Sequence, residues 1–358
     1  MKILHVGEYV KGGVSTYVNE LISFQKNQSN VEVFLALSDH NSDESFRISN
    51  DNIYRYNYSR KPLSIVKGLF HINNILKQTK PDIVHIHSTF AGIMMRSLLF
   101  LKKRNFKVVY TPHGWSFIME VSKIQKRIYA FIETILYLKT DKIINISKYE
   151  YERALEFKVP SKKSIIIYSG VRDAYNKEKI NLELDNEKVN LLFIGRYDKA
   201  KGLDIILELF RKNSIANVQL YVVGASVLSD IQISVPQNVF ELGWVNQEDI
   251  DAYIKEFDAL IIPSRWEGFG LVALEAMRNK KAVIASNRAA LPELVIDGLN
   301  GKIVNLDSED DMLNVIKNIK KNDLKSMGLN GYKIFRENYS SKVMNEKIIE
   351  IYRQLKKK

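Results

Sequence analysis

KILHVGEYVKGGVSTYVNELISF, residues 2–24, begins with a short apolar run, breaks at Gly12-Gly13 and continues with apolar residues at helical spacing. This order predicts a β-strand, a glycine loop and an α-helix. The same order returns in residues 189–210, VNLLFIGRYDKAKGLDIILELF, where Gly195 and Gly202 bound the loop. The repetition predicts two α/β halves of similar construction.

Strand-like apolar runs alternate with helical patterns along the rest of both halves. In the first half they are residues 31–37, 82–86, 107–111, 142–146 and 164–168, and in the second 219–223, 239–242, 259–262, 282–285 and 302–304. This alternation is typical of α/β proteins in which helices cover both faces of a parallel sheet. Such sheets bind ligands beyond the carboxyl ends of their strands, so the loops that follow the strands carry the candidate site.

The chain divides at residues 173–188, a polar stretch with few apolar residues that is typical of a linker. A length of 358 residues also suits two domains. We therefore predict an N-terminal domain at 1–172, a C-terminal domain at 189–338 and a final helical segment at 339–358.

Composition excludes several classes of protein. The chain has no cysteine, so it holds neither a disulfide framework nor a thiolate metal site, which suits a reducing cytoplasm. Its first residues lack the apolar stretch of a secretory signal, and it has no run of about 18 uncharged apolar residues. We expect a cytoplasmic protein that no segment anchors across a membrane.

The net charge of +12 lies entirely in the first half. Residues 1–172 contain 26 Lys and Arg against 14 Asp and Glu, whereas residues 173–358 contain 27 of each kind. Within 91–127, eight basic residues interleave with apolar ones and face a single acid, Glu120; they are Arg96, Lys102, Lys103, Arg104, Lys107, Lys123, Lys126 and Arg127. This pattern fits a surface for an anionic membrane, or solvated helix faces above a core stripe. No nucleic-acid partner is expected, because no recognition motif accompanies the charge.

The strongest chemical motif is Glu267-Gly-Phe-Gly-Leu-Val-Ala-Leu-Glu275, which follows a predicted strand. Gly268 and Gly270 let the backbone approach a ligand closely, and the amides that open the next helix form an anion site. Glu275 could merely complement the positive end of that helix. That explanation leaves Glu267 and both glycines without a reason, so a ligand site is favoured.

A second motif, Gly195-Arg196-Tyr-Asp-Lys-Ala-Lys201-Gly202, forms the loop after the first strand of the second half. Arg196 and Lys201 bring two fixed positive charges to the edge of the sheet. There they could neutralise a diphosphate leaving group and stabilise charge that develops in a transition state. Ordinary surface charge is the alternative explanation.

Together these motifs resemble the retaining family-4 glycosyltransferases, whose GT-B architecture has two Rossmann-like domains with parallel sheets facing across a cleft. The resemblance covers nearly the whole chain and rests on Gly12-Gly13-Val14, Gly195-Arg196-x4-Lys201-Gly202, Glu267-x7-Glu275, and Pro292-Glu293 with Asp297-Gly298 and Asn300-Gly301. It implies an N-terminal acceptor domain and a C-terminal domain for the donor nucleotide. It also implies that the segment 339–358 packs back on the N-terminal domain.

The resemblance implies roles for individual residues. Arg196 and Lys201 would hold the donor diphosphate, Glu267 would contact the transferred sugar, and Glu275 would bind the ribose hydroxyls. His113, in the sequence Thr-Pro-His-Gly-Trp after a strand, would lie near the reacting sugar. The donor cradle would be completed by backbone groups from both halves, namely Gly12, Gly13, Gly195, Gly268, Phe269, Gly270, Leu271 and Val272.

No metal is predicted to take part. His85 and His87 alternate along a strand and share one face, but no third ligand is evident, so packing or hydrogen bonding explains them better. Asp249 and Asp251 have the D-x-D spacing, yet they lie in a helix-like stretch and are expected on a solvated face. The basic residues of the second motif would supply the positive charge that a metal provides elsewhere.

The resemblance thus implies a metal-independent retaining glycosyltransferase that uses a nucleotide-sugar donor. The Thr-Pro-His-Gly-Trp segment resembles bacterial enzymes that build capsule or O-antigen polysaccharide, which implies a UDP-hexose or UDP-N-acetylhexosamine donor and a glycan or lipid-diphosphate-linked acceptor. The basic N-terminal domain would meet that acceptor at the inner face of the cytoplasmic membrane. The alternatives are a sugar-nucleotide epimerase of the same fold and a noncatalytic protein that binds sugar nucleotides or membranes. A nicotinamide oxidoreductase is disfavoured, because the first loop lacks the G-x-G-x-x-G pattern.

Overall fold

The computed structural model describes residues 1–56, 62–173, 180, 182–225 and 235–357. It divides the chain into two compact units, Met1–Val171 with Ser341–Lys358, and Arg172–Ser340. Part of the proposed linker, residues 174–179 and 181, lies outside the described residues, and the rest of that stretch belongs to the second unit.

The N-terminal unit contains a parallel sheet of seven described strands in the order β3-β2-β1-β4-β5-β6-β7. The strands are β1 (Lys2–Gly7), β2 (Glu32–Ser38), β3 (Ile53–Tyr56), β4 (Ile83–His87), β5 (Lys107–Thr111), β6 (Lys142–Asn145) and β7 (Ser164–Ile166). Every residue of β4 is buried, as in a sheet that is covered on both faces.

Helices cover both faces of this sheet. They are α1 (Gly13–Gln25), α2 (Pro62–Thr79), α3 (Thr89–Leu98), α4 (Lys123–Leu136), α5 (Lys148–Glu156) and α12 (Ser341–Lys357). The last helix packs on α1, and its Asn345 donates to the carbonyl oxygen of Glu20 at 3.3 Å. The end of the chain therefore completes the first unit rather than the second.

The C-terminal unit repeats this architecture with six described strands in the order β10-β9-β8-β11-β12-β13, again all parallel. The strands are β8 (Val189–Ile194), β9 (Val218–Val223), β10 (Val239–Gly243), β11 (Ala259–Ile262), β12 (Ala282–Ser286) and β13 (Gly301–Val304). The helices are α6 (Leu203–Lys212), α7 (Ile250–Glu256), α8 (Leu271–Arg278), α9 (Leu291–Leu294), α10 (Glu309–Asn318) and α11 (Lys321–Ile334).

In both sheets the strand order reverses at the first strand of the unit. The strand β1 lies between β2 and β4, and β8 lies between β9 and β11. Loops that leave neighbouring strands in opposite directions at such a point open a crevice at the carboxyl edge. The predicted pair of parallel Rossmann-like sheets is confirmed, and the predicted motifs follow strands at or beside these reversal points.

Candidate active site

Two loops meet at the carboxyl edge of the C-terminal sheet. The first, 195–202, follows β8, and the second, 263–270, follows the neighbouring strand β11. The backbone amides of Arg265 and Trp266 both donate to the carbonyl oxygen of Ala200, at 2.8 and 3.3 Å. These bonds hold the two sequence motifs side by side.

Gly202 makes this contact between the loops possible. A Cβ atom at this position would lie 2.0 Å from the carbonyl oxygen of Pro263, and the residue has a left-handed φ of 72°. Any other residue would push the two loops apart and strain the backbone. The glycine that ends the first motif therefore fixes the geometry of both motifs.

Lys201 and Glu267 form an ion pair where the loops meet. The Nζ atom of Lys201 lies 2.6 Å from Oε1 of Glu267, and the hydroxyl of Ser264 donates to the same oxygen at 3.0 Å. The Glu267 side chain is 8% exposed and that of Lys201 is 25% exposed. Among the described residues none bonds Oε2 of Glu267, so that oxygen is available to a bound molecule.

Arg196 stands apart from this pair. Its side chain is 56% exposed, and Nη2 lies 2.9 Å from Oδ2 of Asp198 in the same loop. By contrast, Arg265 makes two hydrogen bonds to the carboxylate of Asp204, at 2.6 and 2.7 Å. Arg196 thus remains free to turn toward an anion, whereas Arg265 fixes the second loop to α6.

Helix α8 begins at the end of the second loop. Gly270 precedes it with a φ of 91°, and no side chain caps the helix. The amides of Leu271 and Val272 have no acceptor within the helix, and the positive end of the helix dipole lies at the same place. A Cβ atom at Gly268 would meet nothing within 4 Å, whereas Phe269 is buried and anchors the loop. The arrangement leaves unpaired amides at the positive end of the helix, with open space beside them, as the predicted anion site requires.

Glu275 lies on the second turn of α8 with its side chain almost buried. Burial raises the pKa of its carboxyl group, and the nearby Arg278 guanidinium offsets part of that rise. The side-chain amide of Gln247 donates to Oε1 at 2.7 Å. Gln247 orients the carboxylate and was not anticipated from the sequence, since it lies 28 residues from Glu275 in an irregular loop.

The expectation of a solvated face for Asp249 and Asp251 is wrong for Asp251. This residue is fully buried, with Oδ1 2.9 Å from Nη2 of Arg278 and a further bond from the amide of Asn279. The pair ties α7 to the end of α8. The carboxylate of Asp251 is therefore already engaged by a buried ion pair, and the expectation that this D-x-D spacing binds no metal stays a prediction.

In the N-terminal unit, Gly12 and Gly13 form the junction between β1 and α1. Gly12 has a φ of 60° and a ψ of −130°, a conformation that glycine adopts readily, and no side chain caps the helix. A Cβ atom at Gly12 would meet nothing within 4 Å. The start of α1 is therefore an open backbone surface, as the predicted role in a donor cradle requires.

His113 follows β5 in a strained conformation. It has a left-handed φ of 54°, and Gly114, with a φ of 99°, donates its amide to the buried carboxylate of Glu150. The ring lies edge-on to that of Tyr17 at 4.6 Å, and Nε2 lies 3.1 Å from Nδ1 of His87. Burial lowers the pKa of His113 to about 3, so the ring is neutral near pH 7. Strain of this kind is concentrated at functional sites.

The structure supplies the third histidine that the sequence did not reveal. His5 on β1 lies beside His85 and His87 on β4, with ring nitrogens of all three within 4.8 Å of one another. The sequence did not single out His5 as a metal ligand, because a lone histidine in an apolar strand usually packs in the core. The signal lay in the fold, since β1 and β4 are neighbours and His5 pairs in register with His85.

These three rings have other partners. His85 is hydrogen-bonded at both nitrogens, to the hydroxyl of Tyr352 at 2.5 Å and to that of Thr111 at 2.8 Å. His87 bonds both His5 and His113. A metal ion at this cluster would have to replace those bonds. That the reaction needs no metal stays a prediction.

Helix α4 turns an apolar stripe outward. Ile124, Ile128, Phe131 and Ile135 are 71%, 50%, 66% and 41% exposed, and they recur at the spacing of one helix face. The residues that face inward are Ala130, Glu133 and Leu136. This orientation is the reverse of an ordinary surface helix. Within the described residues, no helix is both long and apolar enough to cross a membrane.

Lys123 and Arg127 of α4 are exposed beside this stripe, and Lys102 and Lys103, which follow α3, are exposed as well. One residue of the predicted basic set is not at the surface. Arg96, in contrast, is fully buried in α3, where its guanidinium pairs with Glu133 of α4. Arg96 therefore belongs to the core, because a buried carboxylate partner outweighs its position in a basic stretch.

Comparison with known families divides the chain at residue 175, within four residues of the boundary between the two units. Residues 11–175 match the model of Glycosyltransferase Family 4, and residues 175–338 match that of Glycosyl transferases group 1. Over 326 residues, 88% of this chain and 89% of the relative, the sequence is 36% identical to an uncharacterized 41.2 kDa protein in the cps region of Klebsiella pneumoniae.

One further relative and one solved structure are also similar to this chain. The sequence is 27% identical over 300 residues, 76% of each chain, to the UDP-Gal:alpha-D-GlcNAc-diphosphoundecaprenol alpha-1,3-galactosyltransferase of Escherichia coli. The structure of sucrose-phosphate synthase from Thermosynechococcus elongatus aligns with a TM-score of 0.82 at 20% identity, covering 99% of both chains. At that identity the likeness shows the fold, and the predicted GT-B class is confirmed.

Proposed function

The chain belongs to the group 1 and family 4 glycosyltransferases, and on that premise we propose that it moves a hexosyl or N-acetylhexosaminyl group from a UDP-sugar to a lipid-diphosphate-linked glycan. The observation that carries the proposal is the pairing of Lys201 with Glu267 beside the open start of α8. The named Escherichia coli galactosyltransferase supports the donor and acceptor classes. The relative in a cps region supports a place in capsule or related polysaccharide synthesis.

In the proposed reaction the anomeric configuration is retained. The bond from the anomeric carbon to the diphosphate breaks, and the acceptor hydroxyl forms the new bond on the same face. The hydroxyl proton passes to the leaving phosphate oxygen, so no side-chain nucleophile is required. Arg196, Lys201 and the amides at the start of α8 would neutralise the diphosphate as its charge develops. They would do so without a metal.

The two glutamates would divide the donor between them. Lys201 and Ser264 occupy one oxygen of Glu267 and leave the other for a hydroxyl of the transferred sugar. Gln247 likewise occupies one oxygen of Glu275, and among the described residues none bonds the other, which would accept from the ribose. Each carboxylate is thus held in place by one oxygen and binds with the second.

Donor binding should depend on Glu275. A matching UDP-sugar at a hundred times its dissociation constant should stabilise the protein by about 2.7 kcal/mol in a thermal-shift screen. Glu275→Gln should weaken that binding roughly 10- to 100-fold, because a hydrogen bond to a charged acceptor contributes about 1.5–3 kcal/mol. No response to any UDP-sugar would contradict the proposed donor class.

A product assay with and without the acceptor separates the alternatives. An epimerase would convert the donor with no acceptor present, and a noncatalytic binding protein would turn over nothing when the acceptor is added. The proton NMR spectrum of the product should show the anomeric configuration of the donor. An inverted product would exclude retention while leaving the transferase function intact.

We further propose that the outward face of α4 docks on the anionic inner surface of the cytoplasmic membrane, where a lipid-linked acceptor lies. An apolar stripe bordered by lysines and arginines matches a surface of acyl chains and anionic headgroups. Phe100 and Leu101, which follow α3 in the same unit, are also exposed apolar residues. The basic excess of the first half has the sign that such a surface attracts.

Vesicle binding should therefore require the basic border. Changing Lys103, Lys123 and Arg127 together to glutamine should lower partition onto vesicles of phosphatidylglycerol and phosphatidylethanolamine about 100-fold, since each basic residue contributes about 1 kcal/mol. The matched control changes three exposed lysines of the other unit, Lys317, Lys320 and Lys325. Equal binding by both triple variants would exclude this docking surface.

A further inference from the structure

A row of hydrogen-bonded side chains crosses the N-terminal unit behind His113. Oε1 of Gln25 lies 2.8 Å from Nε2 of His5, Nδ1 of His5 lies 3.0 Å from Nε2 of His87, and Nδ1 of His87 lies 3.1 Å from Nε2 of His113. Gln25, His5 and His87 are buried, and His113 is half-buried at the end. We call these four residues the histidine row.

All three imidazoles of the row are neutral near pH 7. Burial lowers the pKa of His5 to about 4 and that of His113 to about 3, and it lowers the pKa of His87 well below its usual value. A neutral imidazole has one N–H donor and one acceptor nitrogen. In such a row the direction of one hydrogen bond sets the direction of all the others.

Gln25 sets that direction at the buried end. Its carbonyl oxygen can only accept, so Nε2 of His5 carries a proton and Nδ1 of His5 accepts. His87 must then donate from Nε2 to His5, and His113 must donate from Nε2 to His87. Nδ1 of His113 is left with a lone pair, and among the described residues none bonds it.

His85 is not part of this path. Both of its ring nitrogens are taken by hydroxyls, those of Tyr352 and Thr111, so it fills the space beside the row without joining it. The row therefore has a single open end, at the carboxyl edge of β5. The strained backbone at that end holds the ring of His113 against Tyr17.

We propose that Gln25 is a positioning residue that fixes the tautomer of His113, so that Nδ1 accepts a hydrogen bond from a hydroxyl of the transferred sugar. This inference rests on the proposed function, because the sugar is what the lone pair would bind. No proton needs to move along the row during the reaction. What the row provides is an acceptor of fixed direction on a neutral ring.

The tautomers can be determined directly by NMR of the full chain labelled with ¹⁵N-histidine. The chain contains six histidines. Long-range proton–nitrogen correlations should show Nε2 protonated and Nδ1 bare in His5, His87 and His113. Substitution of each histidine in turn assigns the signals. A proton on Nδ1 of His113 would overturn the proposal whatever the activity.

Two variants of Gln25 separate direction from shape. Gln25→Met fills the same space without an acceptor, so the three histidines should then show mixed tautomers. The kcat/KM of this variant should fall about tenfold. Gln25→Glu keeps an acceptor at that position and should restore both the tautomers and most of the activity. Pure tautomers in Gln25→Met, or no rescue by Gln25→Glu, would exclude Gln25 as the residue that sets the direction.

Failure of the proposed function would look different. If the protein transfers no sugar but shows the expected tautomers, the histidine row stands and the reaction is wrong. The histidine row would be overturned if the protein kept one metal ion per chain after dialysis against EDTA and the NMR signals of His5 and His87 were shifted. The metal would then occupy the acceptor nitrogens of the row. The metal-free protein with pure tautomers is the expected result.

Discussion

Replacing Lys201 by methionine is expected to lower kcat/KM by roughly 100- to 1,000-fold, the effect of removing one preorganised group that stabilises developing charge. Lys201 is held by Glu267 at 2.6 Å, so its ammonium group needs little reordering when a diphosphate binds. The effect should fall mainly on kcat, because the charge on the leaving group grows as the bond breaks. The measurement is steady-state transfer at several donor concentrations.

The substitution has a second consequence that must be separated from the first. Without Lys201 the nearly buried Glu267 carboxylate loses its cation, which destabilises the loop. The double variant Lys201→Met/Glu267→Gln removes that unpaired charge and should regain thermal stability without regaining activity. Lys199→Met is the matched control, since Lys199 is an exposed lysine of the same loop and should retain nearly full activity. Activity within threefold of wild type in Lys201→Met would contradict the proposed role.

The sequence predicted the parts of this site better than their connections. The two glycine motifs were each recognisable because the order of strand, glycine loop and helix is local. That Lys201 would bond Glu267 was not predictable, because the contact depends on the adjacency of β8 and β11. The supporting residues Ser264 and Gln247 carry no local signal, since a serine or glutamine in a loop is ordinary.

Buried charge was the main source of error. Arg96 was grouped with the basic residues of 91–127 and Asp251 lies in a charged, helix-like stretch, so both were expected at the surface. Each is buried against an opposite charge that is distant in sequence, Glu133 for the first and Arg278 for the second. The periodicity of α4 left its orientation open, because an amphipathic pattern gives the two faces of a helix without saying which one faces the core.

Breaking the Arg96–Glu133 pair should destabilise the N-terminal unit by about 3–5 kcal/mol, the usual effect of leaving one buried charge without its partner. The Nη2 atom of Arg96 lies 2.8 Å from Oε2 of Glu133, and the guanidinium lies over the ring of Tyr110 at 3.8 Å. Tyr110 donates its hydroxyl to the other oxygen of Glu133 at 3.1 Å. Glu133→Leu removes the acceptor for both donors.

Glu133 lies on the inward face of α4, opposite the apolar stripe, so the prediction also joins stability to the proposed membrane contact. In urea denaturation, the N-terminal unit of Glu133→Leu should unfold at a clearly lower midpoint. The double variant Arg96→Met/Glu133→Leu should regain most of the lost stability, since apolar side chains of similar volume can replace a buried ion pair. Glu152→Gln is the control, because its pair with Lys148 is more than half exposed and should contribute less than about 1 kcal/mol. A loss as small for Glu133→Leu as for Glu152→Gln would mean that apolar packing alone seats α4. If the double variant is stable yet no longer binds anionic vesicles, the ion pair is what holds the apolar stripe outward.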